Sequence, residues 1–305
     1  MYHVIYNHIV MSKLYPIGIQ SFENLRKRDY IYVDKTALIY QLVSTGKYYF
    51  LSRPRRFGKS LLISTLEAYF SGQRELFAGL EMEKLEKDWI EYPVLHIDLN
   101  TEKYSTKETL EKKLDLSLKQ FEAKYGRNPD EYSLATRFEG IIRRAAEKTG
   151  HNTVILIDEY DKPMLQAIGN LELQTEYRNT LKAFYGALKS CDGYIQFAML
   201  TGVTKFGKVS VFSDLNNLMD ISMINRFSEI CGITEEELHR YFDDDIHTLA
   251  EKLGTGFFRF LLPNYTSVSV TKSPYDIQRS VTDVRKGDVD SFLSRLQTFF
   301  GDIPY

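Results

Sequence analysis

The chain has 305 residues, of which 43% are hydrophobic and 13% aromatic, and its formal net charge is −2. This composition supports a large buried core and excludes a disordered chain. The balanced charge argues against a surface that wraps nucleic acid throughout, although it allows a local basic patch. The two cysteines exclude a disulfide framework, so we expect reduced thiols in a cytoplasmic protein.

The first residues do not resemble a signal peptide, because Met1–Val10 is short, lacks a basic start and contains polar residues. We expect residues 1–13 to be an N-terminal extension, with Met11 as the natural start. No run reaches the roughly 20 apolar residues that cross a bilayer, so we expect no membrane partner.

Short β-rich runs alternate with longer helical runs along the chain. This pattern favours an α/β fold in which helices flank a mostly parallel sheet. In chain order we predict the strand Tyr48–Ser52, the helix Ser60–Phe70, the strand Val94–Leu99, the helices Thr106–Lys124 and Ser133–Lys148, the strand Thr153–Ile157, the helix Glu172–Lys189, the strand Tyr194–Thr201 and the helix Thr234–Leu253.

The character of the sequence changes after the last of these helices, whose predicted start is a capping box formed by Thr234 and Glu237. We place a domain boundary near residue 254. Residues 254–305 are expected to form a short C-terminal appendage with one helix at Asp288–Phe300.

A phosphate-binding loop is predicted between the first strand and the next helix, where residues 53–60 read Arg-Pro-Arg-Arg-Phe-Gly-Lys-Ser. Gly58 lets the backbone approach phosphates, and the N–H groups at the helix start point at the anion. Lys59 is expected to reach the β- and γ-phosphates, and Ser60 to supply a hydroxyl to Mg²⁺. The predicted ATP-binding residues are Arg55, Arg56, Phe57, Gly58, Lys59 and Ser60.

The loop departs from the usual P-loop pattern, because Arg53 stands where the pattern begins with glycine. Two interpretations stay open. Arg53, Arg55 and Arg56 add positive charge that holds phosphate, or they form a solvated basic loop.

A second motif is the apolar run Val154–Ile157, which ends in the carboxylates of Asp158 and Glu159. Ligands of α/β folds bind at the carboxyl edge of the sheet. We therefore expect Asp158 to hold Mg²⁺, directly or through water, and Glu159 to orient or deprotonate the attacking water. The alternative is a strand that simply ends in polar residues.

A third motif is the predicted strand that ends at Thr201 and Gly202. Its hydroxyl is expected between the two preceding sites, touching the γ-phosphate or its water. The alternative is a strand followed by a turn.

In this order the three motifs resemble those of the additional-strand P-loop ATPases, the AAA-like group. Neighbouring segments resemble the bacterial AAA-ATPase-like family more closely, over about residues 14–253. The segments that carry the resemblance are Tyr15–Gly18, Tyr32–Thr36, Arg53–Ser60, Ile157–Asp161 and Leu200–Phe206. It implies ATP binding with Mg²⁺, arginine as the usual residue at position 53, and a sheet in which the Thr201 strand lies between the loop strand and the Asp158 strand.

Members of that family typically carry a C-terminal PD-(D/E)XK nuclease-like domain, and here the sequence departs from the family. Residues 254–305 resemble the linker before that domain, so we expect a natural short form or a product of gene decay. Nucleic acid is therefore a partner by family analogy only.

Several residues receive no function from the sequence. His239 and His247 are expected on a solvated helix face rather than in a metal site. The segment Asp34–Thr36 belongs to the family signature without an evident role. Arg226 is expected either to contact a γ-phosphate or to pair with a nearby carboxylate.

Two functions of different classes fit these motifs. The first is an ATPase. The second is a nucleotide-gated interaction module that binds ATP tightly, hydrolyses it slowly, and holds or releases a protein partner or a second copy of the chain. A third reading is a truncated remnant of an ATPase–nuclease fusion that folds poorly.

Overall fold

The computed structural model describes residues 14–16, 18–204 and 217–253, the last range without the side chains of residues 245, 246 and 248–253. The predicted extension at residues 1–13, the appendage at residues 254–305 and its predicted helix lie outside these residues. The boundary near residue 254 stays a prediction.

A five-stranded parallel sheet forms the centre of the fold, in the strand order β2-β3-β4-β1-β5. Its strands are β1 (Tyr48–Ser52), β2 (Val94–Asp98), β3 (Thr153–Asp158), β4 (Ile195–Gly202) and β5 (Met219–Asp220). The predicted α/β fold is confirmed. Because β4 lies between β1 and β3, the strand order implied by the family resemblance is also confirmed.

Helices cover the sheet, and the five that were predicted within the described residues agree with the structure to within one residue at each end. They are α1 (Phe22–Lys27), α2 (Thr36–Thr45), α3 (Lys59–Phe70), α4 (Glu81–Leu85), α5 (Lys107–Tyr125), α6 (Leu134–Thr149), α7 (Lys162–Gln166), α8 (Leu171–Ser190) and α9 (Glu235–Leu253). Among the described residues, none of the helices combines the length and apolar character needed to cross a membrane.

Side chains of β3 alternate between two apolar cores on opposite faces of the sheet. Ile155 and Ile157 belong to the core formed with α5, α6 and α8, and Val154 and Leu156 to the core formed with α1, α2 and α3. Every residue of β3 is buried, as expected of a parallel strand covered on both faces. With both faces covered, polar ligand-binding groups are accessible only at the strand ends.

The start of α9 is anchored to the signature segment Asp34–Thr36. The predicted capping box is present, since Thr234 N donates to Glu237 Oε2 at 2.9 Å and Glu237 N donates to Thr234 Oγ1 at 3.2 Å. The Glu237 carboxylate also forms an ion pair with Lys35, which is 8% exposed. The backbone N–H of Asp34 donates to Tyr241 Oη at 3.2 Å. These contacts hold α9 against the N-terminal part of the fold.

The carboxyl end of β4 is held by two buried side chains that follow β3. The Asp161 carboxylate accepts hydrogen bonds from the N–H groups of Val203 and Thr204, at 3.1 and 2.7 Å, and Tyr160 Oη donates to Thr204 O at 2.8 Å. Gly202 packs directly on both. A Cβ added there would lie 2.5 Å from Tyr160 Cε1 and 2.6 Å from Asp161 Oδ1.

We predict that Gly202→Ala lowers the free energy of unfolding by about 1–3 kcal/mol, because the methyl group overpacks a core site with no free space. Gly186→Ala is the control, since a Cβ at that helical position meets nothing within 4 Å. It should leave stability unchanged or raise it by up to about 1 kcal/mol. Urea unfolding measures both, and equal losses for the two variants would contradict the packing at Gly202.

Candidate functional site

Residues 53–60 connect the end of β1 to the start of α3 at the carboxyl edge of the sheet. Two of them have left-handed backbone conformations, Gly58 with φ 89° and Arg56 with φ 67°. Gly58 is the N-cap of α3 and offers no side chain to the first N–H groups of the helix. Those donors and the helix dipole are therefore directed at the loop, as an anion site requires.

Lys59 is the first residue of α3 and is only 4% exposed. Its Nζ donates to the carbonyl oxygens of Arg53 and Pro54, at 3.2 and 3.3 Å. It also lies 3.4 Å from Glu159 Oε1. A buried ammonium needs such partners, and a phosphate group in the loop would compete with all three for it.

Asp158 is the centre of the site and is 4% exposed. Its Oδ2 accepts a hydrogen bond from Ser60 Oγ at 2.6 Å. Its Oδ1 accepts from Thr201 Oγ1 and from the backbone N–H of Glu159. One carboxylate thus joins residues from α3, β3 and β4, and it brings together Ser60, Asp158, Glu159 and Thr201 as the sequence predicted.

The Ser60–Asp158 pair fits a Mg²⁺ site in its chemistry. Mg²⁺ prefers oxygen ligands and commonly uses one or two carboxylates, with water and substrate phosphates completing its coordination. In the described part of the chain, no group of three or more His, Cys, Asp or Glu side chains is arranged to hold a metal ion by itself. A site built on Ser60 and Asp158 therefore needs phosphate and water as further ligands.

Glu159 has an unusual backbone conformation for a non-glycine residue, with φ 55°. Such a conformation costs about 1–3 kcal/mol and often occurs at functional sites. Burial raises the pKa of the Glu159 carboxyl above its ordinary value, against the opposing charge of Lys59, and Asp158 and Asp161 raise it further. The side chain therefore takes up a proton more readily than an exposed glutamate.

The remaining predicted site residues have different surroundings. Thr201 is fully buried, and its hydroxyl donates to Asp158, so its contact with a γ-phosphate stays a prediction. Arg55 and Arg56 are exposed on the loop, and Phe57 is half-buried. Their contact with a nucleotide also stays a prediction.

Arg53 fits neither of the interpretations offered by the sequence. Its guanidinium donates to the carbonyl oxygens of Ser52 at 3.1 Å, Ser222 at 2.7 Å and Ser228 at 3.3 Å. It is therefore neither a solvated side chain nor directed at a phosphate.

Three of the residues left without a function, Arg226, His239 and His247, have local contacts. The Arg226 guanidinium lies 4.6 Å from the centre of the Phe227 ring, and its contact with a γ-phosphate or a carboxylate stays a prediction. His239 and His247 both face the Asp243 carboxylate on the exposed side of α9, at 3.0 and 3.4 Å. This matches the predicted solvated helix face.

Two residues near the site were not singled out by the sequence. Asp98 ends β2 in register with Asp158 on β3, and Asp161 fixes the exit of β4. The polar end of β2 was a sequence signal for Asp98. Nothing in the sequence indicated that Asp161 bonds to residues 203 and 204.

Comparison with known proteins places these motifs in a family. A family model described as "Predicted AAA-ATPase" matches residues 16–212, more than half of the chain. The chain belongs to this AAA-ATPase-like family. The resemblance inferred from the sequence is confirmed, and the matched residues include the loop, the Asp158–Glu159 pair and Thr201. Membership of the AAA-ATPase-like family supports nucleotide binding.

A curated relative of this AAA-ATPase-like chain is the "Uncharacterized protein in vnfD 5'region" of Azotobacter chroococcum mcd 1. It is 42% identical over 236 residues, which are 77% of the chain and 46% of the relative. The chain thus spans less than half the length of that relative. No solved structure matches the chain.

We predict that Thr201→Val destabilises the fold more than Thr153→Val. Both threonines are fully buried on strands, but Thr201 donates to a carboxylate and Thr153 to the neutral carbonyl of Ile142. Hydrogen bonds to charged groups contribute about 1.5–3 kcal/mol, against about 0.5–1.5 kcal/mol for neutral ones. Chemical unfolding of the two variants tests this difference. Equal losses in the free energy of unfolding would contradict a stronger contribution from the Thr201–Asp158 hydrogen bond.

Proposed function

We propose that the chain binds ATP with Mg²⁺ through Arg55–Ser60 of the phosphate-binding loop and hydrolyses the bound nucleotide. The observation that carries this proposal is the 2.6 Å hydrogen bond between Ser60 Oγ and Asp158 Oδ2. It joins the start of the phosphate loop helix to the carboxylate pair at the end of β3. An isolated Gly-Lys-Ser sequence would lack this second group.

Each side chain has a role that follows from its position. Lys59 binds phosphate oxygens as a charge-assisted donor, helped by the N–H groups at the start of α3. Ser60 and Asp158 hold Mg²⁺, which when bound neutralises the charge of the phosphates. Thr201 positions the Asp158 carboxylate by donating to its second oxygen. Arg55 and Arg56 add positive charge at the mouth of the loop.

Glu159 is proposed as the group that orients and deprotonates the attacking water. Its carboxylate lies 3.4 Å from Lys59 Nζ. A phosphate that takes the Lys59 ammonium leaves this carboxylate able to accept a hydrogen bond from water. Once the Lys59 ammonium has moved to the phosphate, the pKa of the Glu159 carboxyl rises further, which makes the carboxylate a stronger base. Nucleotide binding would thus activate the group that drives hydrolysis.

We further propose a cytoplasmic protein that works with a protein partner or a second copy of the chain. A nucleic-acid partner rests on family analogy alone. The activity of the longer relatives is a separate question, because this chain spans less than half of the one compared.

The test is calorimetric titration of Mg²⁺-ATP into the wild type and into Lys59→Ala. Losing the ammonium should weaken binding about 100-fold or more, equivalent to about 2.8 kcal/mol. Lys112→Ala, which removes an exposed lysine from α5, is the matched control and should bind as the wild type does. Absence of binding by a folded wild type would overturn the proposal.

Turnover separates the two kinds of function. Glu159→Gln should keep its affinity for ATP and lose about 10²–10⁴-fold in rate.

In the wild type, kcat/KM should fall on acidification at a pH above the ordinary glutamate pKa of about 4.3, because the base is inactive once protonated and its pKa is raised. Tight binding with negligible wild-type turnover would instead support the nucleotide-gated interaction module.

A further inference from the structure

Arg53 bonds to Gly202 and Lys59 through its main chain and to a distant segment through its side chain. Its backbone N–H donates to Gly202 O at 3.1 Å, at the end of β4. Its carbonyl oxygen accepts from Lys59 Nζ at 3.2 Å. Its guanidinium bonds to the carbonyls of Ser222 and Ser228.

The segment that receives the guanidinium connects β5 to α9. It begins next to β1, where Ser52 N donates to Ser222 Oγ at 2.8 Å and Ile221 N donates to Phe50 O at 2.9 Å. It passes through buried Cys231, whose thiol pKa is raised to about 11 by burial, with Arg53, Lys59 and Lys35 acting in the opposite direction. Cys231 therefore lies within electrostatic reach of the loop lysine.

The far end of the same segment is fixed to α9. The capping box at Thr234 starts that helix, and Glu237 in its first turn pairs with buried Lys35. Leu238 and Phe242 then pack with Ile233 in a small apolar cluster separate from the two main cores. A shift of residues 221–234 would therefore reach α9 through a short chain of direct contacts.

We propose that Arg53 is a positioning residue that couples phosphate binding in the loop to residues 221–234 and, through the capping box at Thr234, to α9. The inference rests on the proposed nucleotide binding. It also explains why arginine replaces the glycine of the usual P-loop pattern. Glycine at this position would permit the loop but could not bridge two carbonyls of another segment.

The coupling follows from what Lys59 must do to bind a phosphate. Its ammonium leaves the carbonyls of Arg53 and Pro54, so the backbone of Arg53 loses a charged partner when nucleotide enters. The guanidinium is a rigid fork that holds two further carbonyls in fixed directions. A change in the backbone of Arg53 is therefore transmitted to Ser222 and Ser228 rather than absorbed by a flexible side chain.

The experiment compares amide hydrogen exchange with and without the Mg²⁺ complex of a non-hydrolysable ATP analogue, in the full chain. In the wild type, the analogue should change exchange in residues 221–228 and in the first turns of α9. Arg53→Gly restores the usual loop pattern, so it should keep analogue affinity within about tenfold while exchange in both regions no longer responds. Thermal unfolding establishes that the variant is folded.

Thr234→Ala provides a second variant, which removes the hydroxyl that caps the start of α9. It should bind the analogue normally and respond at residues 221–228, with a weaker response of α9. A wild type that does not bind the analogue would overturn the proposed function itself. An Arg53→Gly variant that binds and still transmits the change to α9 would overturn the coupling alone.

Discussion

The buried carboxylate of Asp158 is the constraint on which the site depends. Because Asp158 is 4% exposed, its carboxylate must be hydrogen-bonded, and its partners come from α3, from β4 and from its own chain neighbour. Ser60 can reach it only because α3 starts directly after the loop that follows β1. Thr201 can reach it only because β4 lies between β1 and β3. The contacts of the Asp158 side chain therefore depend on the strand order of the sheet.

Lys59 and Glu159 give this arrangement a way to respond to ligand. Lys59 Nζ lies 3.4 Å from Glu159 Oε1 and forms an ion pair with that carboxylate. The same lysine is the expected phosphate ligand. Phosphate binding and the activation of Glu159 as a base therefore both depend on the positive charge of Lys59. An enzyme and a slow nucleotide-gated module use the same geometry, and they differ in how well water is placed beside Glu159 after Lys59 has moved.

The strands and long helices could be predicted because each buries a periodic or continuous apolar surface. β3 is buried along its whole length and reads as an unbroken apolar run before Asp158. The helices α1, α2, α4 and α7 were missed, since five to ten residues show too little of a period to stand out. β5 has only two residues and is defined by its pairing with β1.

The site was predicted where its residues fall in local motifs, and missed where partners are far apart in sequence. Gly58, Lys59 and Ser60 stand together, and Asp158 ends a strand. Arg53, by contrast, bonds to carbonyls 169 and 175 residues away. Backbone carbonyls occur at every position, so no residue pattern marks which ones a guanidinium will choose. Its role became visible only from the folded geometry.

The most direct test is a crystal structure of the chain with Mg²⁺ and a non-hydrolysable ATP analogue. The account predicts phosphates in the loop of residues 53–60, with Lys59 Nζ moved from Glu159 to a phosphate oxygen, and with Ser60 and Asp158 beside the ion. Arg53 should still contact Ser222 and Ser228. An analogue bound elsewhere, or phosphates in the loop with Lys59 still paired to Glu159, would contradict it.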